Sequence, residues 1–229
     1  PAQSALGQHY EIGEGVTKNF NEAIKWYRKA AGQGYALAQN NLGNLFAVGN
    51  GTKQDWDKAF QWISKAADQG LPISQVHLGS MYERGEGVTV NHEKSFEWYK
   101  LAADQENYYA MVRLGHKYVA GKGVKKNNNE AFTLYKIAAE NGLPEGANSL
   151  GYMYEFGLGI SKNIIEAINW YKTSAEDGNR DGQLSLGIVY LNGTGLEKDY
   201  KKALKWIFVS SENGNNRATY VLGKMYREG

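Results

Sequence analysis

Apolar residues return in the same two clusters every 36 residues along this chain of 229. The stretch from Gln75 to Ala110 shows the plan. Val76, Leu78, Met81 and Tyr82 fall at helical spacing and predict a first helix, A, over residues 75–84. Gly85-Glu86-Gly87 ends it, because glycine adopts backbone angles that side chains disfavour. Asn91 then caps a second helix, B, over 92–104, apolar at Phe96, Trp98, Tyr99, Leu101, Ala102 and Ala103. Residues 105–108 turn the chain back, so each period predicts a helical hairpin.

The register is kept by a Leu-Gly pair: Leu6-Gly7, Leu42-Gly43, Leu78-Gly79, Leu114-Gly115, Leu150-Gly151, Leu186-Gly187 and Leu222-Gly223. A fixed period in the range of roughly 20–50 residues marks a solenoid whose units stack on their neighbours. Units near 3–38, 39–74, 75–110, 111–146, 147–182 and 183–218, with a partial 219–229, fill one continuous array over 1–229. The B-helix cap reads Asn19, Asp55, Asn91, Asn127, Asn163 and Asp199. Helix B ends on small pairs such as Ala66-Ala67, and the next helix A opens on small residues such as Ser74 and Ala110. The Tyr82 column of helix A and the Trp98 column of helix B are expected to fill the gaps between layers. Both ends fall in mid-pattern, so the chain is expected to be part of a longer array or to use its last helix A as a cap.

The unit A-x-x-x-L-G-x-x-Y, then G-x-G-V, then a capped A-x-x-W-Y-x-x-A-A, resembles the Sel-1-like repeat. That family is a relative of the tetratricopeptide repeat with a longer loop between its helices. The resemblance covers essentially the whole chain and implies an all-α, right-handed α/α superhelical solenoid of helical hairpins. It also implies roles in complex assembly: signalling, host contact and virulence in bacteria, membrane-protein quality control in eukaryotes. Departures are local: Leu134 takes the aromatic place, Glu106 stands where Gly70 and Gly142 stand, and 121–129 is more polar than its equivalents. A subfamily carries one disulfide per repeat, and this cysteine-free chain stands outside it.

Charge narrows the partners. With 26 basic and 24 acidic residues, no global field points to nucleic acid. No stretch reaches the ~18 apolar residues of a membrane span. Short units, many Lys and Asn and missing Cys suit a bacterial protein, with a secreted, periplasmic or host-targeted location favoured over the cytoplasm and a monomer expected.

Little reads as catalysis. The G-x-G loops follow helices rather than strands and lack the phosphate-loop lysine, so they read as turns. His9, His77, His92 and His116 include no pair at the one-turn spacing of a helical metal site. Glu11, Glu83 and Glu155 share one column and read as solvated surface. No nucleophile lies in a pattern with a base, so the expectation is a non-enzyme without cofactor or metal.

The variable positions of helix A are more informative. In superhelical arrays helix A lines the concave wall, and the places three before, one after and four after the anchor glycine share a face. They predict a protein or peptide site built from Asn40 and Asn44; Val76, Ser80 and Glu83; Val112 and His116; Asn148, Tyr152 and Glu155; and Leu184 and Ile188. Ala47, Val119 and Leu191 complete the columns, and Leu184, Ile188 and Leu191 make an apolar end that marks contact surface if exposed. A basic cluster, Arg113, Lys117, Lys122, Lys125 and Lys126, reads first as a solvated face. A lipid, glycan or cell-wall binder, or the non-catalytic part of a larger hydrolase, stands as the alternative.

Overall fold

The structure, a computed structural model, describes residues 1–228. Its described residues form helices without strands: α1 (Ala2–Ile12), α2 (Phe20–Gly32), α3 (Ala36–Val48), α4 (Trp56–Asp68), α5 (Pro72–Arg84), α6 (His92–Ala103), α7 (Tyr108–Ala120), α8 (Asn128–Glu140), α9 (Pro144–Phe156), α10 (Ile164–Glu176), α11 (Arg180–Asn192), α12 (Tyr200–Glu212) and α13 (Asn216–Glu228). Odd helices are the predicted helix A and even ones helix B. Helix α5 begins three residues earlier than its apolar pattern, at Pro72, where the missing N–H is not needed.

Two compact units are present. The first comprises Pro1–Ala110 with Lys122–Val124 and holds the hairpins α1/α2, α3/α4 and α5/α6. The second comprises Met111–Gly121 and the chain from Lys125, with the body of α7, then α8, the hairpins α9/α10 and α11/α12, and α13. In the first unit Tyr27, Leu42, Phe46, Ile63, Leu78 and Met81 share one buried cluster, with Trp62, Tyr82 and Trp98 packed on its edge. The Trp column therefore borders the core half-buried, and the aromatics of the next column, Tyr27, Tyr99, Tyr135 and Tyr171, are fully buried. The outer indole faces of Trp26 and Trp62 are covered by Lys29 and Lys65, at 4.4 and 4.5 Å. In the second unit Tyr171, Ala175, Leu186 and Val189 form the corresponding cluster, with Tyr154 and Trp206 against it.

The anchor glycine sits where the two helices of a hairpin touch. A Cβ on Gly151 would lie 2.7 Å from Tyr171 Cδ1 and 3.1 Å from the Ala167 carbonyl oxygen. On Gly43 it would lie 2.6 Å from Ile63 Cγ1. The facing Tyr171 and Ile63 are buried and have nowhere to move.

Each B helix starts on its predicted cap. Asn91 Oδ1 accepts from the Lys94 amide at 2.9 Å, and the Asn91 amide donates to the Tyr82 carbonyl at 2.8 Å, closing the loop. Such a cap stabilises a helix by about 1 kcal/mol. The second loop glycine serves a different purpose. A side chain on Gly87 would strike the Trp56 carbonyl, and one on Gly159 the Asn128 carbonyl. Each loop is therefore pressed onto the start of the preceding hairpin's helix B.

Buried amides fasten successive hairpins. Gln39 Nε2 donates to the Ala31 carbonyl at 3.2 Å, and its Oε1 accepts from Gln69 Nε2 at 2.7 Å. Gln183 repeats this with the Ala175 carbonyl at 3.3 Å and Asn213 Nδ2 at 2.9 Å. Each of these carbonyls already accepts from a turn amide, of Gly34 or Gly178, so the side chain adds a second bond that ties the next helix to it.

Two glycines in the same column separate packing from propensity. Gly151→Ala is expected to lose about 1–2 kcal/mol, overpacking outweighing the gain in helix propensity. Gly223→Ala, with no atom within 4 Å of its Cβ, is expected to gain up to about 1 kcal/mol. Urea unfolding of both variants checks this, and equal stabilities would remove the close approach as the reason for the anchor.

Candidate functional site

Four of the five positions three residues before the anchor glycine are not surface. Asn40, Val76, Val112 and Leu184 are 2, 7, 3 and 4% exposed, and only Asn148 is half-buried. This corrects the expectation of an open wall at that column. The reason is visible in the bonds. Asn40 Oδ1 accepts from Ser74 Oγ at 2.9 Å and lies 3.2 Å from His77 Nδ1, both on α5. Asn148 Oδ1 accepts from Ser185 Oγ of α11 at 2.9 Å. At Asn40 and at Asn148 the column points into the seam between successive A helices. Burial holds the His77 imidazole below the usual histidine pKa, which favours the neutral ring able to donate its Nδ1 proton to Asn40.

The apolar end of the predicted face is also an internal contact. Leu184 clusters with Ala203, Ile207 and Ala218, and half-buried Ile188 and Leu191 pack there beside Val221, Leu222 and Met225 of α13. They are not an exposed patch.

The acidic column is a third correction. Glu11, Glu83 and Glu155 are half-buried rather than solvated. Tyr27 donates to Glu11 at 2.6 Å, Tyr171 to Glu155 at 2.6 Å, and Tyr99 to Glu83 at 3.3 Å. Burial, then the Glu155 carboxylate, push the Tyr171 hydroxyl far above the usual tyrosine value, and Tyr27 shifts the same way for the same reasons with Glu11. Where Ile63 and Ile207 replace the tyrosine, Ala47 and Leu191 replace the glutamate. That pairing at a separation of 16 residues was a legible signal for a structural bond. The fourth hairpin breaks it: Tyr135 faces Val119's column, and the His116 ring lies 5.5 Å from the Tyr135 ring.

What remains open differs between the units. In the first, half-buried Asn44 and Ser80 offer an amide and a hydroxyl. In the second, His116 is exposed and 3.5 Å from Ser149 Oγ. Next to it on α9 stand Tyr152, 47% exposed, and Phe156, 55% exposed. Their ring centroids are 4.6 Å apart. Phe156 went unnoticed in the sequence because it lies at the helix end, outside the three columns read as one face. Among the described residues no group of His, Asp and Glu could hold a metal ion, and no helix is long and apolar enough to cross a membrane. Lys117 is 2% exposed, so the basic run is not one open face.

The model of the Sel1 repeat matches six segments: 1–35, 36–71, 72–107, 109–143, 144–179 and 180–215. This chain belongs to the Sel1 repeat family. The matched segments begin where α3, α5, α9 and α11 begin, at Ala36, Pro72, Pro144 and Arg180, three residues before the units read from the sequence. A Sel1 repeat protein from Oxalobacter formigenes is 35% identical with a TM-score of 0.87, over 91% of this chain and 84% of that one. A protective antigen of uropathogenic Escherichia coli strains, which displays the same fold, is 33% identical with a TM-score of 0.68, and this chain spans 57% of its length. An immunity protein from Pseudomonas aeruginosa, PA5088, is 19% identical with a TM-score of 0.62 and shares the fold. No curated protein matches the chain. Sel1 repeat proteins in general mediate protein–protein interactions, and they are typically non-catalytic scaffolds.

The Sel1 seams and faces respond differently to substitution. Ile188→Asp places a charge against the apolar cluster of Leu184, Ala203, Ile207 and Ala218 and is expected to lose about 2 kcal/mol, whereas Tyr152→Ala stays within about 0.5 kcal/mol. Thermal unfolding of the two variants separates them. The Tyr171 hydroxyl titrates above its unfolded value of 10.0, so its bond stabilises fully below pH 10 and is lost as pH rises beyond it. Tyr171→Phe is expected to cost about 1 kcal/mol at neutral pH and to lose less on alkaline titration than wild type.

Proposed function

We propose that this Sel1 repeat chain is a non-enzymatic interaction scaffold, and that its second unit captures a protein partner on the exposed face of α7 and α9. The observation that carries the reading is the Tyr152–Phe156 pair, two rings in tilted contact and left half-exposed. In the same two columns the other A helices carry Gln8 and Ile12, Asn44 and Val48, Ser80 and Arg84, His116 and Ala120, Ile188 and Asn192, and Lys224 and Glu228. No packing demand of the repeat therefore calls for two rings at this place. Exposed aromatics with a polar rim are the usual anchors of protein interfaces, because they bury large area while freezing few torsions. Here the rim is His116 and Ser149, each able to donate or accept. In the first unit Asn44 and Ser80 supply polar contacts that orient rather than anchor.

Kinship with a protective antigen of uropathogenic strains supports extending the reading to a bacterial adaptor that works at or beyond the cell surface in contact with a host.

Affinity capture from cell extract, using wild type and Tyr152→Ala/Phe156→Ala, tests the face. The expected result is an identified protein whose apparent affinity falls at least about tenfold in the variant, since each buried ring contributes on the order of 1–2 kcal/mol. Circular dichroism melting of the variant should match wild type. Undiminished capture would move the site elsewhere on the array; loss of binding to a glycan or to vesicles, with protein capture unchanged, would favour the small-ligand alternative.

A further inference from the structure

The first unit carries a cleft of about 390 Å³ between α2 and the loop that follows α3. That volume lies in the range of small-molecule sites. Lys25, Arg28 and Lys29 of α2 line it, with Thr52 of the loop and the buried Ile24.

Two departures from neighbouring hairpins meet there. The residue after the second loop glycine is Val16, Val88, Val124, Ile160 or Leu196 elsewhere and polar only at Thr52. Val88 and Leu196 pack against their core clusters, which is what an apolar residue does at this place. The column of Ile24 holds the larger Phe60, Phe96 and Phe132 in the next three hairpins and returns to an aliphatic residue at Ile168 and Leu204. An aliphatic side chain where the next three hairpins have a ring, and a hydroxyl where the other loops have an aliphatic group, border the cleft.

The charge at the cleft is equally unusual. The columns of Lys25, Arg28 and Lys29 hold a single cation in every other B helix: Lys65, Lys100, Lys136, Lys172 and Lys205. Only α2 has three. They are also held in place. Lys29 Nζ lies 4.4 Å over the Trp26 ring, and the Arg28 guanidinium 5.7 Å from the Phe46 ring. Lys25 pairs with Glu22 at 3.2 Å. One carboxylate against three cations leaves the cleft positive. The first-turn amides of Asn21 and Glu22 are already taken by the Asn19 side chain, so the attraction rests on the side chains and not on the helix end.

We propose that this cleft binds a phosphate-bearing small molecule. Lysine and arginine offer donors only, and a phosphoryl group presents several acceptor oxygens on one compact dianion, which three cations lining one cleft match better than a planar carboxylate does. The Thr52 hydroxyl and the side-chain amide of Asn21 complete the donor set, and Ile24 receives the apolar part of the ligand.

Isothermal titration with inorganic pyrophosphate, and with citrate at the same ionic strength, tests the cleft on the full chain. Wild type is expected to bind pyrophosphate at least tenfold more tightly than citrate. Arg28→Gln/Lys29→Gln should weaken pyrophosphate at least tenfold. The decisive variant is Thr52→Val, which installs the residue of the other loops, keeps every charge and is expected to leave the melting temperature unchanged or raised. It too should weaken pyrophosphate at least tenfold. Undiminished binding by Thr52→Val would show attraction to surface charge and overturn the proposal. So would equal binding of citrate, or no binding of pyrophosphate by wild type.

Discussion

Helix A and helix B of a hairpin meet at a point where one of them has no room for a side chain. The ring of Tyr171 occupies the space that a Cβ on Gly151 would need, and Ile63 does the same at Gly43. This approach fixes how far apart the two helices lie, and with it the rotation of each about its own axis. Once that rotation is set, Leu42, Leu78, Leu150 and Leu186 have one direction to point, into the core. The same setting decides which polar residues reach the neighbouring hairpin and which reach water. The Leu-Gly pair has no chemistry of its own, yet the bonds between hairpins depend on it.

Those bonds explain why the recognition surface is smaller than the variable positions suggest. Asn40, Asn148, Glu11, Glu83 and Glu155 vary in the manner of surface residues, but each accepts a hydrogen bond from a neighbouring helix. They vary in matched sets, glutamate with tyrosine and alanine with isoleucine, because a buried acceptor without its donor costs about 1–3 kcal/mol. Variation here is negotiated between adjoining helices. Only positions outside such sets, Tyr152 and Phe156 chief among them, differ without an internal counterpart.

The repeat, its helices, caps and turns were legible because each rests on local rules. Asn91 caps its helix through an amide three residues away, and Gly85 turns the chain with a φ of 75°. The burial of Asn40 and Leu184 was not legible. A helical wheel gives the angle between two side chains on one helix, but not which neighbour lies in that direction. Asn40 looked like surface because an isolated helix would expose it; α5 buries it and provides Ser74 and His77 as donors. The start of α5 escaped for a plainer reason, since Pro72 and the exposed Ile73 break the apolar period that marks the rest of the helix.

The inter-hairpin bonds also limit how such a chain can be edited over generations. Adding or removing a whole period keeps every helix in step with its backbone neighbours, so the fold tolerates it. The side chains at the new junction are less forgiving. Removal of the α5/α6 hairpin would bring Ala110 and Arg113 to the columns of Ser74 and His77, exchanging a hydroxyl and an imidazole opposite Asn40 for a methyl and a guanidinium. Copies of a hairpin are therefore interchangeable in length but not in address. A duplicated unit fits where it lands only after its neighbours have changed with it.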